Sequence, residues 1–161
     1  MRLILLFDKM KKEPIIEINN LTRRKINAPL IKKAAAFVME GEKKSRGELS
    51  LVFVGQNRIR ALNKKYRNVD RATDVLSFAL GGKFSDNDDE ILLGEVVICP
   101  QIIAKDAKQA DCSFDYQAVW TVVHGVLHLS GYDHEEGGER EREMRQREKY
   151  YLSKLKIKKS K

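Results

Sequence analysis

All three histidines of this 161-residue chain fall in one short segment, HGVLHLSGYDH, residues 124–134. His124 and His128 are four apart, so a helix sets both imidazoles on one face, one turn apart. Gly131 can take the left-handed conformation that ends a helix, and His134 then returns from the loop. Two ligands from a helix turn and one from the loop after it close three corners of a tetrahedron. The fourth corner stays open to water, which is the catalytic pattern for zinc. Nickel or copper would accept the same imidazoles. A single histidine on an apolar helix is usually a hydrogen-bonded core residue. Two at this spacing each need a partner in a dry place. With a third after a glycine turn, one bound ion, expected to be Zn2+, is the simplest account.

The spacing also matches the metzincin protease pattern H-E-x-x-H-x-x-G-x-x-H. That pattern puts its general base, a glutamate, directly after the first histidine. Gly125 stands there instead. Peptide hydrolysis by that route is therefore not expected, whereas another hydrolysis by a zinc-activated water is. Asp133 has two functional readings, orienting an imidazole or accepting a proton. An equal alternative is that it only stabilises the turn. Tyr132 reads as a packed ring and Trp120 as a core residue. A fourth ligand from Asp133 or a cysteine would instead suit a structural ion.

The elements that must carry these residues are legible from periodicity and breakers. Residues 14–19 alternate as a strand. Residues 28–41 read as a helix capped by Asn27, with Pro29 in the first turn and Gly41 at its end. A β segment at 47–55 lies between breakers, and 56–68 places Ile59, Leu62 and Tyr66 at helical spacing. A third strand is expected at 74–80 and a glycine-rich acidic loop at 81–90. A fourth strand follows at 91–100, where Gly94 suggests a bulge or a close backbone approach. Pro100 opens a helix to about residue 110. Ser113 caps the helix bearing His124 and His128, whose apolar residues run almost all round, so it is expected to be buried. A last helix, about 138–156, is dense in Glu and Arg. These elements predict an α+β domain: a single sheet of about four strands with helices packed on it, and the metal site on a buried helix and the following loop. The expected organisation is one domain over 13–156, an N-terminal lead at 1–12 and a lysine tail at 157–161. Met10 reads as a natural start, with residues 1–9 ahead of it.

The net charge of +8 is unevenly spread. Residues 21–71 hold 14 Lys or Arg against 4 Asp or Glu, so the remainder is slightly acidic. A half this basic attracts a polyanion by phosphate contacts and counterion release, although many basic surfaces only solubilise. Cys99 and Cys112 form no CxxC pair and read as two reduced thiols. The apolar run MRLILLF is too short for a membrane span and lacks a signal-peptide cleavage site. A cytoplasmic protein with no membrane partner is expected.

The segment HGVLHLSGYDH resembles the H-G-x-L-H-L-x-G-Y-D-H signature of the YbeY endoribonucleases. YRNVDRATDVLSF, 66–78, is similar to that family's tyrosine–arginine stretch and T-D/N-V-L-S-F, and LGEVVIC, 93–99, is similar to its L-G-D-I-x-I-C strand. Glu95 departs from the usual Asp but keeps a carboxylate. The resemblance implies a metal-dependent, single-strand-specific endoribonuclease. It would mature ribosomal RNA, notably the 3′ end of the small-subunit RNA, and serve ribosome quality control, with ribosomal RNA and the small subunit as partners. It implies His124, His128 and His134 as metal ligands and Arg67 as a residue of the active site. Arg67 could grip phosphate oxygens beside His124, whereas by itself it reads as a solvated helix-end arginine. Arg58, Arg60, Lys64 and Lys65 would hold the strand by its phosphates. Ser77 and Glu95 are candidates to line the cleft. The competing classes are a non-catalytic RNA-binding ribosome-assembly factor with a structural zinc, and a zinc hydrolase of another substrate.

Overall fold

The computed structural model describes residues 13–83, 91–133 and 138–160. In chain order the elements are β1 (Ile15–Asn20), α1 (Ala28–Gly41), β2 (Gly47–Phe53), α2 (Gln56–Arg67), β3 (Val75–Lys83), β4 (Ile91–Ile98), α3 (Pro100–Gln109), α4 (Phe114–Leu129) and α5 (Gly138–Leu155). The four strands form one sheet in the order β1-β2-β4-β3. β1 and β2, and β2 and β4, pair in parallel, whereas β3 runs antiparallel to β4. Parallel neighbours need a crossover, and α1 supplies it between β1 and β2. The fold is α+β, as expected.

Side-chain parity assigns the two faces of the sheet. Leu49, Leu51 and Phe53 of β2 with Val96 and Ile98 of β4 join the main core, packed by α1, α4 and α5. The intervening Val97, with Leu76 of β3, Val54 and Cys99, packs against Ile59 of α2. Thus α2 covers one face, and the histidine-bearing α4 lies on the other. Asn27 caps α1 by accepting from the Leu30 amide, and Ser113 caps α4 by accepting from the Tyr116 amide.

Two details fix α4 against the sheet. Gly94 sits at φ 144° beside a register shift, and a Cβ there would lie 2.2 Å from the Phe78 carbonyl oxygen. A Cβ on Gly125 would lie 2.6 Å from Val96 Cγ1. Only a glycine lets the helix backbone come this close to β4, and the Ser77 hydroxyl then donates to the Gly125 carbonyl at 3.2 Å.

Among the elements, the structure differs from expectation at β3. β3 runs on to Lys83, so Gly82 and Lys83 of the expected loop pair with β4, past a register shift that follows Ala79. Glycine-rich composition signals a turn, but the ladder to Ile91 and Leu92 supplies hydrogen bonds that local propensity does not register. The remainder of that loop, 84–90, lies outside the described residues, as do the lead at 1–12 and Lys161. Within the described part of the tail, the Ser113 amide donates to the Lys159 carbonyl at 2.9 Å, and Ile157 packs on the core. Among the described residues, no helix is long and apolar enough to cross a membrane.

Candidate active site

A cleft of about 690 Å³ opens at the free edge of β3. Its walls are Asn63 and Arg67 of α2, Val69 and Arg71 of the next loop, Thr73 to Ser77, and His124 and His128 of α4. Consecutive residues of β3 line it because the strand presents its edge rather than a face. That edge is where α2, on one side of the sheet, and α4, on the other, reach a common space.

The α4 wall follows from the helix's burial. From Ala118 to Leu129 every residue is buried except Trp120, His124 and His128. The rings of His124 and His128 meet edge to face with centroids 4.7 Å apart, and Trp120 stacks on His124 at 5.1 Å. His124 Nδ1 donates to Glu148 Oε1 of α5 at 2.7 Å, with both side chains largely buried. A carboxylate only accepts, so it selects the tautomer protonated at Nδ1 and puts the lone pair on Nε2. An imidazole held in this way by a buried carboxylate is the usual arrangement of a metal-ligating histidine. The donor chemistry of the two described imidazoles therefore fits a zinc ion. His134 lies outside the described residues. Among the described residues, no group of three or more His, Cys, Asp or Glu side chains is gathered to hold an ion.

The α2 wall is fixed by Asn63 and Asp70. Asn63 is buried and donates to the Arg71 carbonyl at 2.9 Å, and Asn68 ends α2 in the left-handed region. Asp70 accepts from Arg60 at 2.8 Å and from Lys64 at 3.1 Å, and these bonds hold its carboxyl below the ordinary carboxylate range. The loop is thus folded back on its own helix, with Arg67 and Arg71 among the residues that line the cleft.

Of the residues singled out from the sequence, the structure brings Arg67, His124, His128 and Ser77 to one cleft. Arg58, Arg60, Lys64 and Lys65 do not line it. Asp133 lines a separate depression with Glu42, Tyr132 and Arg140. Glu95 accepts instead from the Ser50 hydroxyl at 3.4 Å. Both cysteines are buried free thiols, and burial pushes the Cys99 thiol up. Tyr132 donates to Glu42 at 3.0 Å and accepts from Arg147 at 3.1 Å, so it fastens the loop after α4 to α1 and α5. Trp120, expected in the core, is half-buried, because α4 leaves one strip uncovered and Trp120 falls on it. Sequence reasoning missed Glu148 and Arg71. Nothing marks Glu148 among the carboxylates of α5, whereas Arg71 stood inside the tyrosine–arginine stretch.

The comparisons decide the family. The family model described as Endoribonuclease YbeY matches residues 12–156. The chain belongs to the YbeY family. Similar YbeY proteins include Endoribonuclease YbeY of Aquifex aeolicus, 39% identical over 84% of this chain and 88% of its own length. That of Pelotomaculum thermopropionicum is 42% identical over 80% of this chain and 86% of its own. A solution structure from Thermotoga maritima superposes with a TM-score of 0.61 at 28% identity, covering 88% of this chain and 89% of its own. The YbeY match spans the cleft and both of its walls.

Proposed function

We propose that this chain is a zinc-dependent endoribonuclease that cuts single-stranded RNA. Its work would be the maturation of the 3′ end of small-subunit ribosomal RNA and ribosome quality control in the cytoplasm, with the small subunit as partner. The observation that carries this reading is the meeting of Arg67 with His124 and His128 across the β3 edge, in a chain whose relatives bear the name Endoribonuclease YbeY.

In this reading His124, His128 and His134 hold one zinc ion. When bound, it supplies Lewis-acid stabilisation of charge on the phosphoryl group. Arg67 donates two parallel hydrogen bonds to the phosphate oxygens, which strengthen as negative charge builds there. Arg71 adds a second cation to the same wall. Glu148 keeps the His124 ring oriented and its proton on Nδ1. Asp133 orients an imidazole, accepts a proton from the water or steadies the turn. Arg58, Arg60, Lys64 and Lys65 add to the field that draws the strand in, and Asp70 offsets part of it at Arg60 and Lys64. Gly125 opposes a protease twice over: the base is missing, and the close packing on Val96 leaves no room for a glutamate there.

The test is cleavage of single-stranded RNA by freshly purified protein, with its zinc measured beside it. Arg67→Ala should keep fold and zinc and lose about 10²–10³-fold in rate. His128→Ala and a chelator should both abolish cutting, which separates this activity from contaminating nucleases. Undiminished cleavage by Arg67→Ala would remove Arg67 from the mechanism, and casein hydrolysis without RNA cleavage would sink the whole reading.

A further inference from the structure

A second groove, of about 550 Å³, lies between α4 and α5 on the other side of His124. Tyr116, Trp120 and His124 form one wall, and Met144, Arg145 and Lys149 stand on the other. The residues of the first wall, with His128, recur every fourth position along α4. Each step of four overshoots a full turn by about 40°, so the strip coils round the helix. His128 belongs to the Arg67 cleft, Trp120 and Tyr116 to the groove, and His124 lines both.

We propose that this groove binds nucleotides of the same RNA strand on the far side of the cutting site, with an unpaired base stacked against Trp120. The proposal rests on the ribonuclease reading and extends it to a second subsite. Its chemistry is that of single-strand binding: aromatic faces that accept any base, next to cations that track phosphates. Lys149 stands in the groove with no carboxylate paired to it among the described residues, whereas Glu141 pairs with Arg145 and Glu148 is engaged by His124. From His124 to Tyr116 the wall is about 12 Å long at the helical rise. Three residues short of Tyr116 the tail brings Lys158 and Lys159 against Ser113, and Arg24 lies over the Phe114 ring at 4.3 Å. The path thus passes from one basic region, across the histidines, to another.

Trp120 is the chain's one tryptophan, so tryptophan emission comes from the groove wall, and the groove variants Tyr116→Ala and Lys149→Glu separate binding there from binding in the Arg67 cleft. The probe is an uncleavable 2′-O-methyl single strand of about ten nucleotides, titrated into the zinc-loaded full chain. A saturable change in Trp120 emission is expected. Trp120→Leu and Lys149→Glu should each weaken binding about tenfold with zinc content unchanged. Tyr116→Ala, remote from His124, should weaken it too and serves if the tryptophan variant fails to fold. RNA that is bound and cut with Trp120 emission unmoved, or with Tyr116→Ala and Lys149→Glu binding as tightly as the parent, overturns the groove and leaves the ribonuclease reading standing. Emission that responds to the probe in a chain that never cuts RNA supports the groove and sinks the ribonuclease reading.

Discussion

Trp120, His128 and Glu148 all touch His124, and each makes a different demand. Trp120 stacks on its face, His128 meets its edge, and Glu148 accepts a hydrogen bond from its Nδ1–H at 2.7 Å. The ring cannot rotate without breaking a charge-assisted hydrogen bond in a largely buried place, which is a costly loss. Glu148→Ala should therefore lower zinc affinity by about 10–100-fold, measured by competition with a chelator. Glu148→Gln keeps an acceptor but not the charge and should fall between. An alanine variant that holds zinc like the parent would show that packing alone sets the ring. At this scale the histidines were legible because their spacing is a rare pattern with a chemical reason. Glu148 was not, because α5 carries Glu139, Glu141, Glu143 and Glu148 in similar surroundings, and only the crossing of α5 over α4 selects one of them. Arg60 and Lys64 illustrate the reverse: basic residues near the cleft in sequence that are engaged with Asp70 in space.

The elements position the site through two glycines. Gly125 and Gly94 let α4, β4 and β3 approach more closely than any side chain permits. Gly125→Ala drives a methyl into Val96 and should cost about 1–3 kcal/mol, seen as a lower midpoint in chemical denaturation. Because His124 is the adjacent residue, the shift that relieves the clash should also weaken zinc binding. Gly94→Ala meets a backbone oxygen that cannot move aside and a φ of 144°, so it should destabilise more than Gly125→Ala; equal or smaller loss would mean that the bulge yields. Element boundaries were close to those read from caps and periodicity: α1 spans Ala28–Gly41, and Asn27 and Ser113 cap as expected. Gly94 was correctly suspected of a close approach. Strand order was not legible, because the pairing of β2 with β4 rather than β3 is decided by packing between segments far apart in sequence. The meeting of α2 with α4 at the β3 edge depends on that order.

Across the whole molecule, the buried polar network at Glu42 and the distribution of charge make separable predictions. Tyr151 is 1% exposed and donates to Glu42 at 2.6 Å. Burial first, then Glu42, raises its phenol above the ordinary value of 10.0, with Arg147 opposing and Tyr132 adding. The folded pKa is raised, so this stabilisation is intact below pH 10 and is lost as pH climbs past the unfolded value. Stability should fall above pH 10 by up to about 1.4 kcal/mol per pH unit, and Tyr151→Phe should flatten that fall while lowering stability at neutral pH. Charge acts differently, because it governs RNA rather than the fold. Each phosphate contact contributes about 0.7 to the slope of log affinity against log salt for a single strand. Arg67 faces the cleft, so Arg67→Ala should reduce the slope by about that amount. Arg60 already spends its charge on Asp70, so Arg60→Ala should change the slope less. Leaving Asp70 with Lys64 as its one described partner on α2 in that variant should show instead as lower thermal stability. If both substitutions flatten the salt dependence equally, RNA draws Arg60 away from Asp70 and the loop reorganises on binding.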